Sequence, residues 1–262
     1  MNFKQITSRQ NEKIKNCVKL INNAKFRVSC GLFVVEGAKI VKDAIKSETE
    51  VVRAFVSAEF IKKNPKLAEE LSQKALEIFK VPSDIFAKIS DTTTSQEIIC
   101  VCKLPNLTTN LQADGRYILC ENLQDPANLG TIIRTANALN FEGIITIAGC
   151  DVFSPKAVRA TMGAVFTIPL FRFETVSSAM NAIKAVRLES YATVVRGGQD
   201  LTKSDFKSGV ILIGNEGNGL SEEIVSLADQ KISIPMKENA DSLNAAAAAT
   251  IVMWEFAKEQ VK

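Results

Sequence analysis

The chain has 262 residues, 46% hydrophobic and 23% charged, an ordinary globular composition long enough for two domains. It contains no histidine, which excludes Ser-His-Asp chemistry, histidine general bases and the commonest zinc ligand, so no metal site is expected. The net charge of +3 is uneven: residues 1–110 hold 18 Lys/Arg against 12 Asp/Glu, and residues 111–262 hold 14 against 17.

Residues 8–27 place Ile14, Cys17, Val18 and Ile21 at helical spacing, with basic residues between them. Residues 1–27 carry seven cations (Lys4, Arg9, Lys13, Lys15, Lys19, Lys25, Arg27) and one acid, Glu12. That is an electrostatic footprint for a polyanion, although a solvated helix face accounts for it equally well. Leu32 to Val35 reads as a buried strand and Glu36 to Lys46 as a helix; Val51–Val56, Ala75–Phe79 and Gln96–Lys103 read as further strands. The first half is therefore a small α/β domain, residues 1–106. Leu104 to Gly115 has a linker's composition, with the linker proper at 107–115.

The second half, residues 116–262, alternates strand and helix. Strands are expected at Tyr117–Cys120, Ile144–Ile147, Tyr191–Val195, Val210–Ile213 and Ile232–Ile234. Helices are expected at Asn128–Leu139, Pro155–Met162, Val176–Arg187, Ser221–Leu227 and about Ser242–Lys258. This pattern predicts a parallel sheet flanked by helices, with ligands bound beyond the carboxyl ends of its strands.

Six cysteines (Cys17, Cys30, Cys100, Cys102, Cys120, Cys150) form no C-x-x-C pair and read as buried, reduced thiols. Met1 to Gln5 lack the apolar core of a signal peptide. The longest apolar run, Ala245 to Trp254, is far short of the ~20 residues that span a bilayer, so a soluble cytoplasmic protein is expected.

Three loops follow predicted strands. The first, Glu121 to Gly130, leads into Arg134-Thr135-Ala136, and Asp125-Pro126 looks like a helix start. The second, Gly214-Asn215-Glu216-Gly217-Asn218-Gly219-Leu220, lets backbone pass close to a ligand, although a plain tight turn has the same composition. It matches neither a dinucleotide fingerprint nor a phosphate-binding loop. The third is Ile234-Pro235-Met236, then Ser242-Leu243-Asn244 before an alanine-rich helix, with Ser242 as the expected N-cap.

Together these segments resemble the SpoU (TrmH-type) branch of the SPOUT methyltransferases. The family pattern N-x-G-x-x-x-R-T-A appears as Asn128 to Ala136, G-x-E-G-x-G-L as Gly214 to Leu220, and I-P-M … S-L-N as Ile234–Met236 and Ser242–Asn244. Phe33-Val34-Val35-Glu36-Gly37 resembles a signature of the family's L30e-like substrate-binding domain. One departure is Ala245-Ala246, where many members have valine and serine.

The resemblance implies an RNA ribose-2′-O-methyltransferase using S-adenosylmethionine, with a deep trefoil knot and a homodimer formed through the knotted domain. It implies a cofactor pocket made by Gly214, Asn215, Gly217, Ile234, Met236, Ser242 and Leu243, and catalytic positions at Arg134, Glu216, Asn128 and Asn244. Because a guanidinium is a cationic donor, Arg134 is expected to stabilise the developing alkoxide or clamp a phosphate, oriented by Glu216 or Asn128. A deprotonated Arg134 acting as base is the alternative. Ribosomal RNA is preferred over transfer RNA, and a non-catalytic RNA-binding protein of the same fold is the competing reading.

Overall fold

The computed structural model describes residues 3–92, 94–107, 110–203, 206–237 and 241–259. Contacts divide the chain into two units, Met1–Asn106 with Asp151–Phe166, and Leu107–Cys150 with Thr167–Lys262. Among the described residues no helix is long and apolar enough to cross a membrane. Thr108 and Thr109 of the expected linker lie outside the described residues.

The first unit opens with β1 (Lys4–Gln5), α1 (Glu12–Asn22) and α2 (Ala24–Cys30). Periodicity predicts a single helix over this stretch, but Asn23 interrupts it. Its backbone is extended and its side chain accepts the Phe26 N–H, capping α2. The chain continues through β2 (Leu32–Glu36), α3 (Ala38–Lys46), β3 (Val51–Val56), α4 (Ala58–Lys63) and α5 (Pro65–Lys74), then β4 (Glu77–Lys80), α6 (Ser83–Ile89) and β5 (Ile98–Lys103). Sequence reading misses α4, α5 and α6. The strands form one sheet in the order β1-β4-β3-β5-β2. One side of its core is built from Ile14, Cys17, Phe55, Phe79, Ile85 and Phe86.

The second unit contains β6 (Arg116–Glu121), α7 (Pro126–Ala138) and β7 (Gly143–Ile147). The next helix, α8 (Pro155–Thr161), belongs by its contacts to the first unit. Sequence reading keeps all of 116–262 together. Side chains pull this segment away: buried Arg27 donates to Asp151 at 2.7 Å, and the Phe33 ring lies 5.0 Å from Phe153 and 6.2 Å from Phe166. The second unit resumes with β8 (Leu170–Phe173), α9 (Val176–Ala185), β9 (Ser190–Thr193), β10 (Gln199–Asp200), β11 (Gly209–Ile213), α10 (Glu222–Leu227), β12 (Gln230–Ser233) and α11 (Ala245–Ala257).

These strands pair in the order β10-β12-β9-β11-β6-β7-β8, all parallel, as the alternation predicts. Sequence reading misses β8 because Pro169 and exposed Arg172 break its apolar run. α9 packs on β7 and β8, while α11 packs on α7 and β11. The carboxyl ends of β6, β9, β11 and β12 therefore lie side by side.

Four of the six cysteines are buried, but Cys30 is exposed and Cys150 half-buried, so the uniform expectation fails there. Burial pushes the Cys17 and Cys102 thiols up to about 12, which keeps them protonated and unreactive. Among the described residues no group of three His, Cys, Asp or Glu could hold a metal ion.

Candidate active site

The first loop leaves β6 at Asn122, whose backbone is left-handed at φ 51°. It ends at Asp125, which accepts the Ala127 N–H at 3.0 Å and caps α7, with Pro126 in the first turn as the sequence suggests. α7 buries Leu129, Ile132, Ile133 and Ala136 in the core and carries Asn128 inward at its first turn.

The second loop leaves β11. Asn215 and Gly219 exchange two backbone hydrogen bonds of 2.9 Å, folding the turn onto itself. That closure fixes the role of Gly214: a Cβ there would lie 2.1 Å from the Gly219 carbonyl carbon and 2.2 Å from the Leu220 nitrogen. Gly217 is different, since a Cβ there meets only Asn215 Oδ1 at 3.6 Å. Inside the turn, Asn215 Oδ1 accepts the N–H groups of Gly217 (2.9 Å) and Asn218 (3.0 Å).

Three ties strap this turn to the first loop. Asn215 Nδ2 donates to the Asn122 carbonyl at 2.9 Å. Buried Glu121 accepts from Ser221 Oγ (2.6 Å) and Ser221 N (2.8 Å), just where Ser221 caps α10. Glu216 accepts the backbone N–H groups of Gln124 (2.9 Å) and Asp125 (3.0 Å), and the Asn128 amide at 3.0 Å. Partial burial pushes the Glu216 carboxyl up, but these neutral donors outweigh it and hold its pKa below the ordinary value.

The network reaches the third loop through Asn128, whose Oδ1 accepts from Asn244 Nδ2 at 3.0 Å. Asn244 also accepts the N–H groups of Ala246 (2.9 Å) and Ala247 (3.2 Å), so Asn244, not Ser242, caps α11. The helix begins at Ala245, three residues later than expected, because the side chain that reaches the free N–H groups belongs to Asn244.

Beside this network lies an open cleft of about 480 Å³, solvent included, where Val195, Ile234, Met236, Ser242 and Leu243 meet side chains of β9, β12 and α11. Leu243 and Val195 are 40% and 49% exposed, so the cleft wall presents apolar surface to solvent. Thus Ile234, Met236, Ser242 and Leu243 share one cleft, while Gly214, Asn215 and Gly217 sit on the neighbouring turn. Sequence reading missed the wall made by Thr193, Val194 and Val195, although the strand-end rule that selected the other loops applies equally to β9. It also passed over Glu121 and Ser221 as hydrogen-bonding partners.

Arg134 departs from expectation. It is exposed and forms no hydrogen bond or ion pair with a described residue, so neither Glu216 nor Asn128 orients it. Six residues beyond Asn128, helix geometry turns it roughly 120° away from the inward face of α7. Both Glu216 oxygens are already occupied by other donors.

Residues 115–254 match the model of the SpoU rRNA methylase family. The chain belongs to that family. Residues 11–100 match the MRM3-like substrate-binding domain. The chain is 31% identical to the 23S rRNA (guanosine(2553)-2′-O)-methyltransferase RlmP of Bacillus subtilis, over 96% of this chain and 98% of that protein. It is 30% identical to the 23S rRNA (uridine(2479)-2′-O)-methyltransferase of Streptomyces viridochromogenes, over 98% of this chain and 93% of that one. The structure of the SpoU methyltransferase AviRb from Streptomyces viridochromogenes, in complex with its cofactor AdoMet, superposes with a TM-score of 0.89 at 28% identity, covering 97% of this chain and 99% of that one. An AdoMet-bound rRNA methyltransferase from Sinorhizobium meliloti gives 0.88 at 29% identity, with 99% of each chain covered. The α/β architecture with a helix-flanked parallel sheet is that of these SpoU enzymes.

Proposed function

We propose that this chain transfers the methyl group of S-adenosylmethionine to a ribose 2′-hydroxyl of ribosomal RNA. The observation that carries the reading is an apolar strand-end cleft lying beside three loops already tied into one hydrogen-bonded frame. The cleft suits the cofactor in its lining: Val195 and Leu243 present apolar surface that an adenine face would cover. Ile234, Met236, Ser242 and Leu243 would line the cofactor, and the turn Gly214–Gly217 would approach it through backbone. Bound there, S-adenosylmethionine supplies an electrophilic sulfonium methyl.

The protein's task is then positioning. The ribose hydroxyl is a poor nucleophile: its oxygen would bond the methyl carbon as the carbon–sulfur bond breaks to leave a neutral thioether, with its proton passing to water, so placement in line with the methyl contributes most. Glu216, held low in pKa by neutral donors, serves as a brace, and Asn128 and Asn244 carry that brace to α11. Arg134 remains available to face the charge that develops on the ribose oxygen or its neighbouring phosphate. Likeness to bacterial 23S rRNA methyltransferases along nearly the whole chain supports a cytoplasmic enzyme.

Two further features belong to this reading. The C-terminal strands and loops form a trefoil knot, a rare exception to unknotted connectivity. The second unit forms a homodimer: α11 exposes Ala247, Thr250, Ile251 and Trp254 along one face, with Ile251 at 40% and Trp254 at 50%, apolar area that a second copy would cover. The test is one preparation measured twice. With labelled S-adenosylmethionine and unmodified ribosomal RNA, digestion should yield a 2′-O-methylated nucleoside, and sedimentation should give a dimer at micromolar concentration. A label that enters a base instead would overturn the ribose assignment, and a stable monomer would overturn the assembly.

A further inference from the structure

We propose that the substrate RNA backbone runs along α3 of the first unit, on a row made by Lys39, Lys42 and Lys46; this rests on the ribosomal RNA reading above. The seven cations of residues 1–27 are the obvious alternative, and the structure largely consumes them. Lys4 and Lys13 pair with Glu77 at 3.4 and 2.9 Å, Arg9 with Asp84 at 2.8 Å, Lys15 with Glu12 at 3.1 Å, and Arg27 with Asp151 at 2.7 Å. A cation already neutralised by a carboxylate releases little counterion energy to a phosphate.

The cations of α3 are in the opposite state. Lys39, Lys42 and Lys46 are exposed, and none forms an ion pair or hydrogen bond with a described residue. Spacings of three and four put them on one helix face, over an axial length of about 10 Å. The other face anchors the helix through Ile40, Val41 and Ala44, all buried.

Asp43 is the acid that could neutralise this row, standing four residues after Lys39 and three before Lys46. Its carboxylate lies instead against Gly163, where an added Cβ would approach Asp43 Oδ2 to 2.4 Å. Beyond the helix, Lys74 donates to the Ser47 carbonyl at 2.8 Å, adding a fourth ammonium whose partner carries no charge. Nearby Glu50 is turned to Lys103, at 3.8 Å. The result is a straight, uncompensated cationic row on a rigid helix, complementary to a phosphodiester strand and indifferent to its sequence.

The test uses the full-length protein and an unmodified large-subunit ribosomal RNA transcript. Lys39→Gln, Lys42→Gln and Lys46→Gln combined should flatten the plot of log K against log [salt] by about 2, at roughly 0.7 per lost contact. KM for RNA should rise at least tenfold, while kcat at saturating RNA and the affinity for S-adenosylmethionine stay at wild-type values. Lys19→Gln with Lys25→Gln should change the slope by less than the triple variant does. If the triple variant misfolds, Lys42→Gln alone should still lower the slope by about 0.7. A slope and KM equal to wild type in these variants would overturn the row as the contact. Failure of the methyltransferase reading looks different: the wild type would transfer no methyl, while the salt slopes would still report on α3.

Discussion

Two carboxylates, one in each unit, show contrasting ways of holding an anion. In the first unit Glu77 gathers three cations: Lys13 at 2.9 Å, Arg53 at 3.3 Å and Lys4 at 3.4 Å. The Lys13 hydrogen bond does most to bring its pKa down to about 2, against the opposing cost of desolvation. In the second unit Glu216 is also held low, but by two backbone N–H groups and an amide. Pairing with cations uses their charge within the fold. Pairing with neutral donors fixes a loop without using a cation, and Arg134 pairs with no described residue. The first arrangement suits stability, and the second suits a site that must meet an anionic substrate.

The largest expected effect tests the second arrangement. Removing one positioned donor from a developing oxyanion typically costs ~10²–10³ in rate. Arg134→Ala should lose that much single-turnover methyl transfer while keeping its fold and cofactor affinity, since Arg134 forms no hydrogen bond or ion pair with a described residue and does not line the cleft. Arg134→Lys should recover little, because an ammonium lacks the planar fork. Near wild-type transfer by the alanine variant would make Arg134 a surface residue.

A smaller effect separates the two glycines of the turn. In Gly214→Ala the new Cβ meets backbone that cannot step aside, a strain of about 1–3 kcal/mol, so S-adenosylmethionine affinity should fall about ten- to a hundredfold and the melting temperature should drop. Gly217→Val should also weaken cofactor binding but leave the melting temperature unchanged, because its space is left open by the protein and would be needed by the ligand. Calorimetry showing wild-type affinity in Gly217→Val would remove that residue from the pocket.

These cases also mark what could be read in the sequence. The parallel sheet follows from strict strand and helix alternation, and the three motifs point to one sheet edge because each follows a strand. Side-chain partnerships were not legible. The Glu216–Asn128–Asn244 chain joins residues 88 and 116 positions apart, and no local pattern encodes that pairing. The same blindness turned residues 1–27 into an unpaired basic segment: Glu77 and Asp84, which neutralise much of it, arrive from β4 and α6. The cap of α11 was misplaced by two residues because Ser242 and Asn244 are both good caps, and only the backbone path decides between them.

The smallest effect returns to Glu77 and asks whether its three cations stabilise the first unit. An acid whose pKa is lowered on folding contributes stability that is complete above its unfolded value, near 4.5, and fades as pH falls through the folded value of about 2. The side chain is 27% exposed and Lys4 is 66% exposed, so solvent screens much of the attraction. Glu77→Gln should therefore cost about 1 kcal/mol at neutral pH, well below the full value implied by the shift. Hydrogen exchange of the β3 and β4 amides, which pair across Arg53 and Glu77, reads this locally in the intact chain. The difference between wild type and variant should hold from neutral pH down to about 4.5, then shrink towards zero near 2. High salt should reduce it at every pH, because the cluster is only partly buried. A difference that ignores both pH and salt would mean that Glu77 acts through packing alone. The cations of the N-terminal segment would then be free to leave it for RNA, and the contrast with Glu216 would fail.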